Sequence, residues 1–207
     1  MNDFIKQRNF FRYLKSKCEY SANKKIVGEF LKVVEYLLKE YDTSIYENRF
    51  VVGGAVEHIF VAYLRALGFR ADHSGGKGKR TDIVVEYEGS QLEFSIKTNF
   101  TGKGDIRLIN KLGDVGEVFW DEPTIFLISE LGLVYSDPDF LGDKVVDKGD
   151  AIIVNVSVIK DFSENNQDFV VRLPIPKKYS SVFSTQSFDV AKSVLEKSKS
   201  KILIKYL

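Results

Sequence analysis

Residues 91–98 alternate without a break, with Leu92, Phe94 and Ile96 on one side and Glu93, Ser95 and Lys97 on the other. A period of two fits a half-buried strand and not a helix, whose faces repeat every three or four residues. Just before it, residues 82–88 carry Val84, Val85 and Tyr87, and Glu88, Gly89 and Ser90 supply a turn. The two segments read as a β-hairpin. A lone hairpin is barely stable in water, so its apolar face needs a second layer.

Roughly the first 45 residues read as helical. Ile26, Phe30, Val33, Val34, Leu37, Leu38 and Tyr41 recur at three- and four-residue spacing, one stripe of an amphipathic helix. Phe4, Phe10, Phe11 and Leu14 suggest a shorter helix before it. A further helix is expected after Gly53-Gly54, where Val56, Ile59, Phe60, Tyr63, Leu64 and Leu67 form a clean stripe that Gly68 ends. Glu57 falls at the border of this stripe, where an acid either reaches water or points into a cleft.

After Gly68 the period changes. Residues 69–73 suggest a short strand and residues 74–80 a flexible basic loop. Residues 105–112 are expected as a short helix. Residues 124–129, 151–158 and 169–173 are expected as strands, with Pro174 and Pro176 breaking the last, and residues 188–199 as a helix. The order predicts an α/β (α+β) fold, a mixed central sheet flanked by helices. At 207 residues it fits a single domain, with a helical part at 1–50, a core of helix and hairpin at 51–112, and further strands and a helix at 113–207.

Composition narrows the classes. No window approaches the ~18 apolar residues of a membrane span, and residues 1–9 hold no apolar run of signal-peptide length. The single cysteine, Cys18, forms neither an intrachain disulfide nor a thiolate metal site, and fits a reducing cytoplasm as an inert helix residue. His58 and His73 are too few and too separated for a zinc site. The net charge of +1 hides segregation: nine Lys/Arg against five acids in residues 1–40, three lysines against 13 acids in 112–170, and seven lysines against two acids in 177–207. Such a distribution is either solvated surface or a bipolar molecule whose basic side meets a polyanion.

The polar face of the hairpin holds the groups that phosphodiester hydrolysis needs. That chemistry uses a metal on hard oxygen ligands, with a cation near the attacking water or the phosphate. Asp82 opens the first strand, and Lys97 lies on its neighbour with Glu93 and Ser95. The loop at 75–80 lacks the spacing of a phosphate-binding P-loop. Lys77, Lys79 and Arg80 in it read instead as contacts to a nucleic-acid backbone. Thr98, Asn99, Thr101 and Lys103 leave the strand where they could meet phosphates or base edges. Arg107 and Asn110 are candidate base readers on the expected helix at 105–112.

These residues in this order resemble the PD-(D/E)xK nuclease superfamily of restriction endonucleases and resolvases. The likeness spans about residues 53–112. It is carried by Glu57 within Gly53-Gly54-Ala55-Val56-Glu57-His58, by Leu67-Gly68-Phe69, by Thr81-Asp82-Ile83-Val84-Val85 and by Phe94-Ser95-Ile96-Lys97-Thr98. The resemblance implies a restriction-endonuclease-like core and magnesium, with manganese as a substitute. It implies Asp82 as metal ligand, Lys97 orienting or activating water, and the Ile96 carbonyl as a further ligand. It further implies double-stranded DNA as substrate, cut to leave 5′-phosphates, a homodimer, and a companion DNA methyltransferase not in direct contact.

The sequence departs from the pattern at Ser95, where an acid is usual, and at Thr81, where proline is usual. The missing carboxylate is expected from Glu57 or Glu93, with Ser95 holding a ligated water. A type II restriction endonuclease is the leading expectation. A Holliday-junction resolvase or repair nuclease, and a non-catalytic DNA-binding protein on a degenerate nuclease fold, are the alternatives.

Overall fold

In the computed structural model the described residues are 4–41, 46–74, 81–111, 118–177 and 187–207. Their elements run α1 (Ile5–Glu19), α2 (Lys24–Glu40), α3 (Tyr46–Ala66), β1 (Arg70–His73), β2 (Ile83–Tyr87), β3 (Ser90–Asn99), β4 (Asp105–Asn110), β5 (Thr124–Ile128), β6 (Gly132–Ser136), α4 (Pro138–Leu141), β7 (Val146–Asp147), β8 (Ala151–Asn155), α5 (Val156–Asn165), β9 (Val170–Arg172) and α6 (Ser187–Lys197). The fold is mixed α/β, as the order of periodicities predicts. No helix among the described residues is long and apolar enough to cross a membrane.

The central sheet has six strands in the order β1-β2-β3-β5-β6-β9. The hairpin forms in the expected place, with Ile83 opposite Phe94 and Tyr87 opposite Ser90. On its other edge β3 pairs in parallel with β5, Ser95 opposite Thr124 and Lys97 opposite Phe126. The remaining neighbours are antiparallel. β5 and β6 are buried along their whole length, as strands covered on both faces must be. Gly132, with φ +110°, opens β6 where a Cβ would lie 2.1 Å from the Val171 carbonyl oxygen, so only glycine fits.

The helices cover the hairpin through aromatic contacts. Phe10 of α1 lies 5.3 Å from Phe94, 5.7 Å from Tyr87 and 5.2 Å from Phe69, ring centre to ring centre. Phe30 of α2 stacks on Tyr63 of α3 at 4.3 Å. α3 packs against α2, α6 and β1 and reaches β3. One hydrophobic cluster runs from Phe10 to Leu203.

Three expectations need correction. The helix expected to follow Gly53-Gly54 is longer, begins at Tyr46 and contains both glycines. Each costs about 1 kcal/mol against alanine in a helix, and burial of Val52, Ala55 and Val56 offsets this. The helix expected at 105–112 is the strand β4, since Ile106 and Leu108 are buried while Asp105 and Arg107 are exposed, a period of two. The strand expected at 151–158 ends at Asn155. There the Asn155 side chain accepts from the Ser157 N–H at 3.0 Å and starts α5. β4, β7 and β8 form a separate three-stranded sheet.

Asp137, fully buried, ties α1 to this scaffold. It accepts from Arg8 Nε at 2.8 Å and Nη2 at 2.7 Å, from the Tyr135 hydroxyl at 2.8 Å and from the Asp139 N–H at 3.1 Å. Removing one partner of a buried, hydrogen-bonded ion pair leaves the other uncompensated. Asp137→Ala should lower the unfolding free energy by about 3–5 kcal/mol, seen as a lower urea midpoint. A second expectation concerns Cys18, which is buried and within 2.9 Å of the Tyr63 hydroxyl. Burial pushes its thiol up to about 11. The thiolate is the reactive form, so a disulfide reagent at pH 8 should modify the native protein far more slowly than the urea-unfolded chain. Equal rates would contradict this placement.

Candidate functional site

The site grows from the place where β2 leaves β3. Backbone bonds hold Asp82 on both sides: Ser74 N–H donates to the Asp82 carbonyl at 2.9 Å, and Asp82 N–H donates to the Phe94 carbonyl at 3.0 Å. The β2–β3 register stops at Ile83 opposite Phe94, so β2 offers Ile96 no carbonyl. The Asp82 side chain fills that role, its Oδ2 accepting from the Ile96 N–H at 2.6 Å. The N–H and C=O of one strand residue point the same way, so the Ile96 carbonyl opens on the same edge. The Lys97 Nζ lies 3.6 Å from the same Asp82 oxygen.

On the opposite edge β3 is held by its parallel neighbour, with Ser95 N–H donating to the Pro123 carbonyl at 3.0 Å. The Ser95 hydroxyl, 1% exposed, donates to Glu122 Oε2 at 2.6 Å. A carboxylate therefore stands at the position where the sequence offers serine. It arrives from the segment leading into β5 instead of from β3. That segment is fixed: the Trp120 indole N–H donates to Thr124 Oγ1 at 3.2 Å, and Thr124 Oγ1 donates to the Glu122 carbonyl at 3.1 Å.

Glu57 approaches from α3. Its Oε2 lies 2.8 Å from His73 Nε2 at the end of β1. The His73 ring stacks on His58 at 4.3 Å, and Phe188 meets His58 edge-on at 5.3 Å. Burial raises the proton affinity of Glu57 first, and the Asp82 charge raises it further, while His73 and Lys97 oppose this. Burial likewise raises Glu122, opposed by Ser95 and Lys97, with Asp121 and Asp82 adding to the rise. The Asp82 and Lys97 charges thus act on both glutamates, with opposite signs. Burial and His73 together lower the pKa of His58.

Other residues singled out in the sequence fall elsewhere. Glu93 is exposed and accepts from Thr81 Oγ1 at 2.9 Å. Asn99 shapes the turn after β3, its Oδ1 accepting from Thr101 N–H at 3.1 Å, Thr101 Oγ1 at 3.0 Å and Gly102 N–H at 2.8 Å. Thr98 is half-buried in β3, and Lys103 is exposed. Arg107 and Asn110 sit on the small sheet, not on a helix. Arg107 donates to Asp150 at 2.9 Å and to Asn110 at 3.4 Å. Lys77, Lys79 and Arg80 lie outside the described residues.

Glu122 is the residue that sequence reasoning missed. Its one signal is an acid beside Pro123 just before the apolar run at 124–129, and nothing local links it to Ser95. As donors to a cation, Asp82, Glu122, Glu57 and the Ile96 carbonyl are all hard oxygens, the set that suits magnesium. No three His, Cys, Asp or Glu side chains among the described residues come together as a ready metal cage. Magnesium needs only one or two carboxylates and keeps several waters. No family model matches the chain, and no curated protein matches its sequence.

Proposed function

We propose that the protein is a cytoplasmic, magnesium-dependent endonuclease that hydrolyses phosphodiester bonds of double-stranded DNA. In this reading it is a type II restriction enzyme, acts as a homodimer and leaves 5′-phosphates. The observation that supports the reading best is the set of charged groups that β3 gathers at Ser95, Ile96 and Lys97. Asp82 is locked on the Ile96 N–H, Lys97 lies 3.6 Å from it, and Glu122 is carried in by Ser95.

The roles follow from position. Asp82, Glu122 and the Ile96 carbonyl would hold the cation, with Glu57 completing the acidic wall. A divalent ion there polarises the phosphate and lowers the pKa of water. Asp82 accepts the Ile96 N–H through one of its two oxygens, which fixes the carboxylate and leaves lone pairs for another partner. Lys97 supplies the fixed positive charge that orients the attacking water and balances the phosphate. His73 holds the Glu57 carboxylate in place, and the His58 ring backs it. A symmetric pair of such sites is what cutting both strands of a palindrome requires.

Plasmid incubated with the protein and Mg²⁺ should give discrete, sequence-defined fragments. Cleavage confined to branched DNA would point to junction resolution. Duplex binding without cleavage in Mg²⁺ or Mn²⁺ would leave a binding module. Asp82→Ala and Lys97→Ala should each lower the cleavage rate by about a hundredfold or more while far-UV circular dichroism stays native. Wild-type rates in either variant would refute the assignment.

The Ser95–Glu122 pair gives a sharper test. Ser95→Glu alone sets a second acid against Glu122 in a site that is 1% exposed, so it should reduce both stability and cleavage. The swap Ser95→Glu with Glu122→Ser returns the carboxylate to β3 and should recover most of the activity. Full activity in Ser95→Glu alone would mean that Glu122 does not occupy that place.

A further inference from the structure

The basic residues at the two ends of the sequence meet in space. α2 and α6 pack against each other and against α3. Glu29 joins them, its Oε2 accepting from the Ser200 hydroxyl at 2.9 Å and the Ile202 N–H at 2.8 Å. That carboxylate is turned to the C-terminal segment and forms no ion pair with a lysine among the described residues. Lys25 and Lys32 stand one turn before and after Glu29 on the same helix face, and Lys199 and Lys201 flank Ser200. All four are exposed, and none makes a hydrogen bond or ion pair among the described residues. Lys192 and Lys197 extend the charge along the exposed side of α6.

We propose that Lys25, Lys32, Lys199 and Lys201 form a binding site for the phosphate backbone of duplex DNA, separate from the carboxylate cluster. The inference rests on the nuclease reading for the identity of the polyanion. Four unpaired cations on one face repel one another and favour a polyanion. α2 exposes no large apolar side chain, and the two exposed near the lysines, Phe188 and Tyr206, stand singly at opposite ends of residues 188–206 and form no apolar stripe of the kind membrane insertion would need. α6 spans the distance between the candidate active site and the lysines. Phe188, in the first turn of α6, meets the His58 ring beside His73 and Glu57, and the helix runs toward the lysines. Its 11 residues span roughly 16 Å at about 1.5 Å each. That is about five nucleotide steps of ~3.4 Å along one strand. A duplex cut beside Glu57 would pass over the lysines within half a helical turn. Contacts of this kind fix position and carry no base readout.

The test compares the wild-type protein with the variant K25Q/K32Q/K199Q/K201Q on a linear mixed-sequence duplex without divalent metal. Each phosphate contact contributes about −0.9 to the slope of log affinity against log salt. With four contacts removed, the variant slope should therefore be shallower by about 3.6, with affinity at moderate salt down by roughly tenfold or more. Its cleavage rate at saturating DNA should be unchanged, because no substituted lysine touches Asp82, Glu122 or Lys97. An unchanged slope and affinity would overturn the proposal. So would an unchanged DNA affinity combined with lost binding to phosphatidylserine vesicles, which would assign the face to a membrane. DNA binding by the wild-type protein without cleavage in Mg²⁺ or Mn²⁺, together with the expected slope change, would refute the nuclease reading alone. Cleavage by the wild-type protein with an unchanged variant slope would refute the lysine site alone.

Discussion

The hydrogen bond from the Ile96 N–H to the Asp82 carboxylate, at 2.6 Å, is the constraint on which the site depends. A strand that loses its neighbour exposes backbone donors and acceptors, and buried ones must find partners. β3 has β5 along one edge, but on the other edge β2 stops pairing after Ile83. Asp82 resolves the mismatch with a side chain in place of a backbone carbonyl. Its orientation is therefore set by sheet geometry and does not rely on a flexible rotamer. Lys97, one residue on, is then held beside an acid whose place is already fixed. A charged pair held by rigid strands is better defined than the same pair on a loop.

Much of this was legible because periodicity follows local backbone geometry. The alternation at 91–98 specified β3 and the side each residue takes. The stripe from Ile26 to Tyr41 specified α2. Two of the three misreadings share one cause, since short apolar runs fit more than one element. The third placed the start of α3 after Gly53-Gly54, which the helix contains. Ile106, Leu108 and Ile109 were open to a helical reading, but the exposed Asp105 and Arg107 impose a strand. The run 151–158 looks uniformly β-like until the Asn155 side chain bonds to Ser157 N–H and turns the chain into α5. Glu122 was not legible at all. It lies 27 residues from Ser95 in sequence, and only the parallel β3–β5 pairing brings them together. Local spacing shows partners on one hairpin. It carries no information about a strand inserted from further along the chain.

The segregated charges also acquire a structural meaning. Several acids of the middle segment are partnered by cations from other segments: Asp137 and Asp139 by Arg8, Asp168 by Arg12, Asp150 by Arg107, Asp147 by Lys111 and Glu130 by Lys177. Six of the 13 acids of the block are thus paired with cations from outside it, three of them with arginines of the basic N-terminal segment. The lysines left over on α2 and after α6 keep their charge uncompensated. A chain of net charge +1 can in this way present a positive face, because its negative charges are paired elsewhere.

The carboxylate cluster breaks the rule that the rest of the fold obeys. Glu57 and Glu122 are half-buried, and burial and the Asp82 charge both raise their proton affinity. Desolvating acids next to one another costs folding free energy. Lys97, His73 and Ser95 offset only part of that cost. Asp137 shows how the same chain buries an acid when stability is the aim: it meets it with a bidentate arginine, a tyrosine hydroxyl and a backbone N–H. The contrast between the two sites is informative. Local rules that hold elsewhere and fail at one place single that place out as the candidate site. A cation bound there would remove the repulsion that the protein leaves in place.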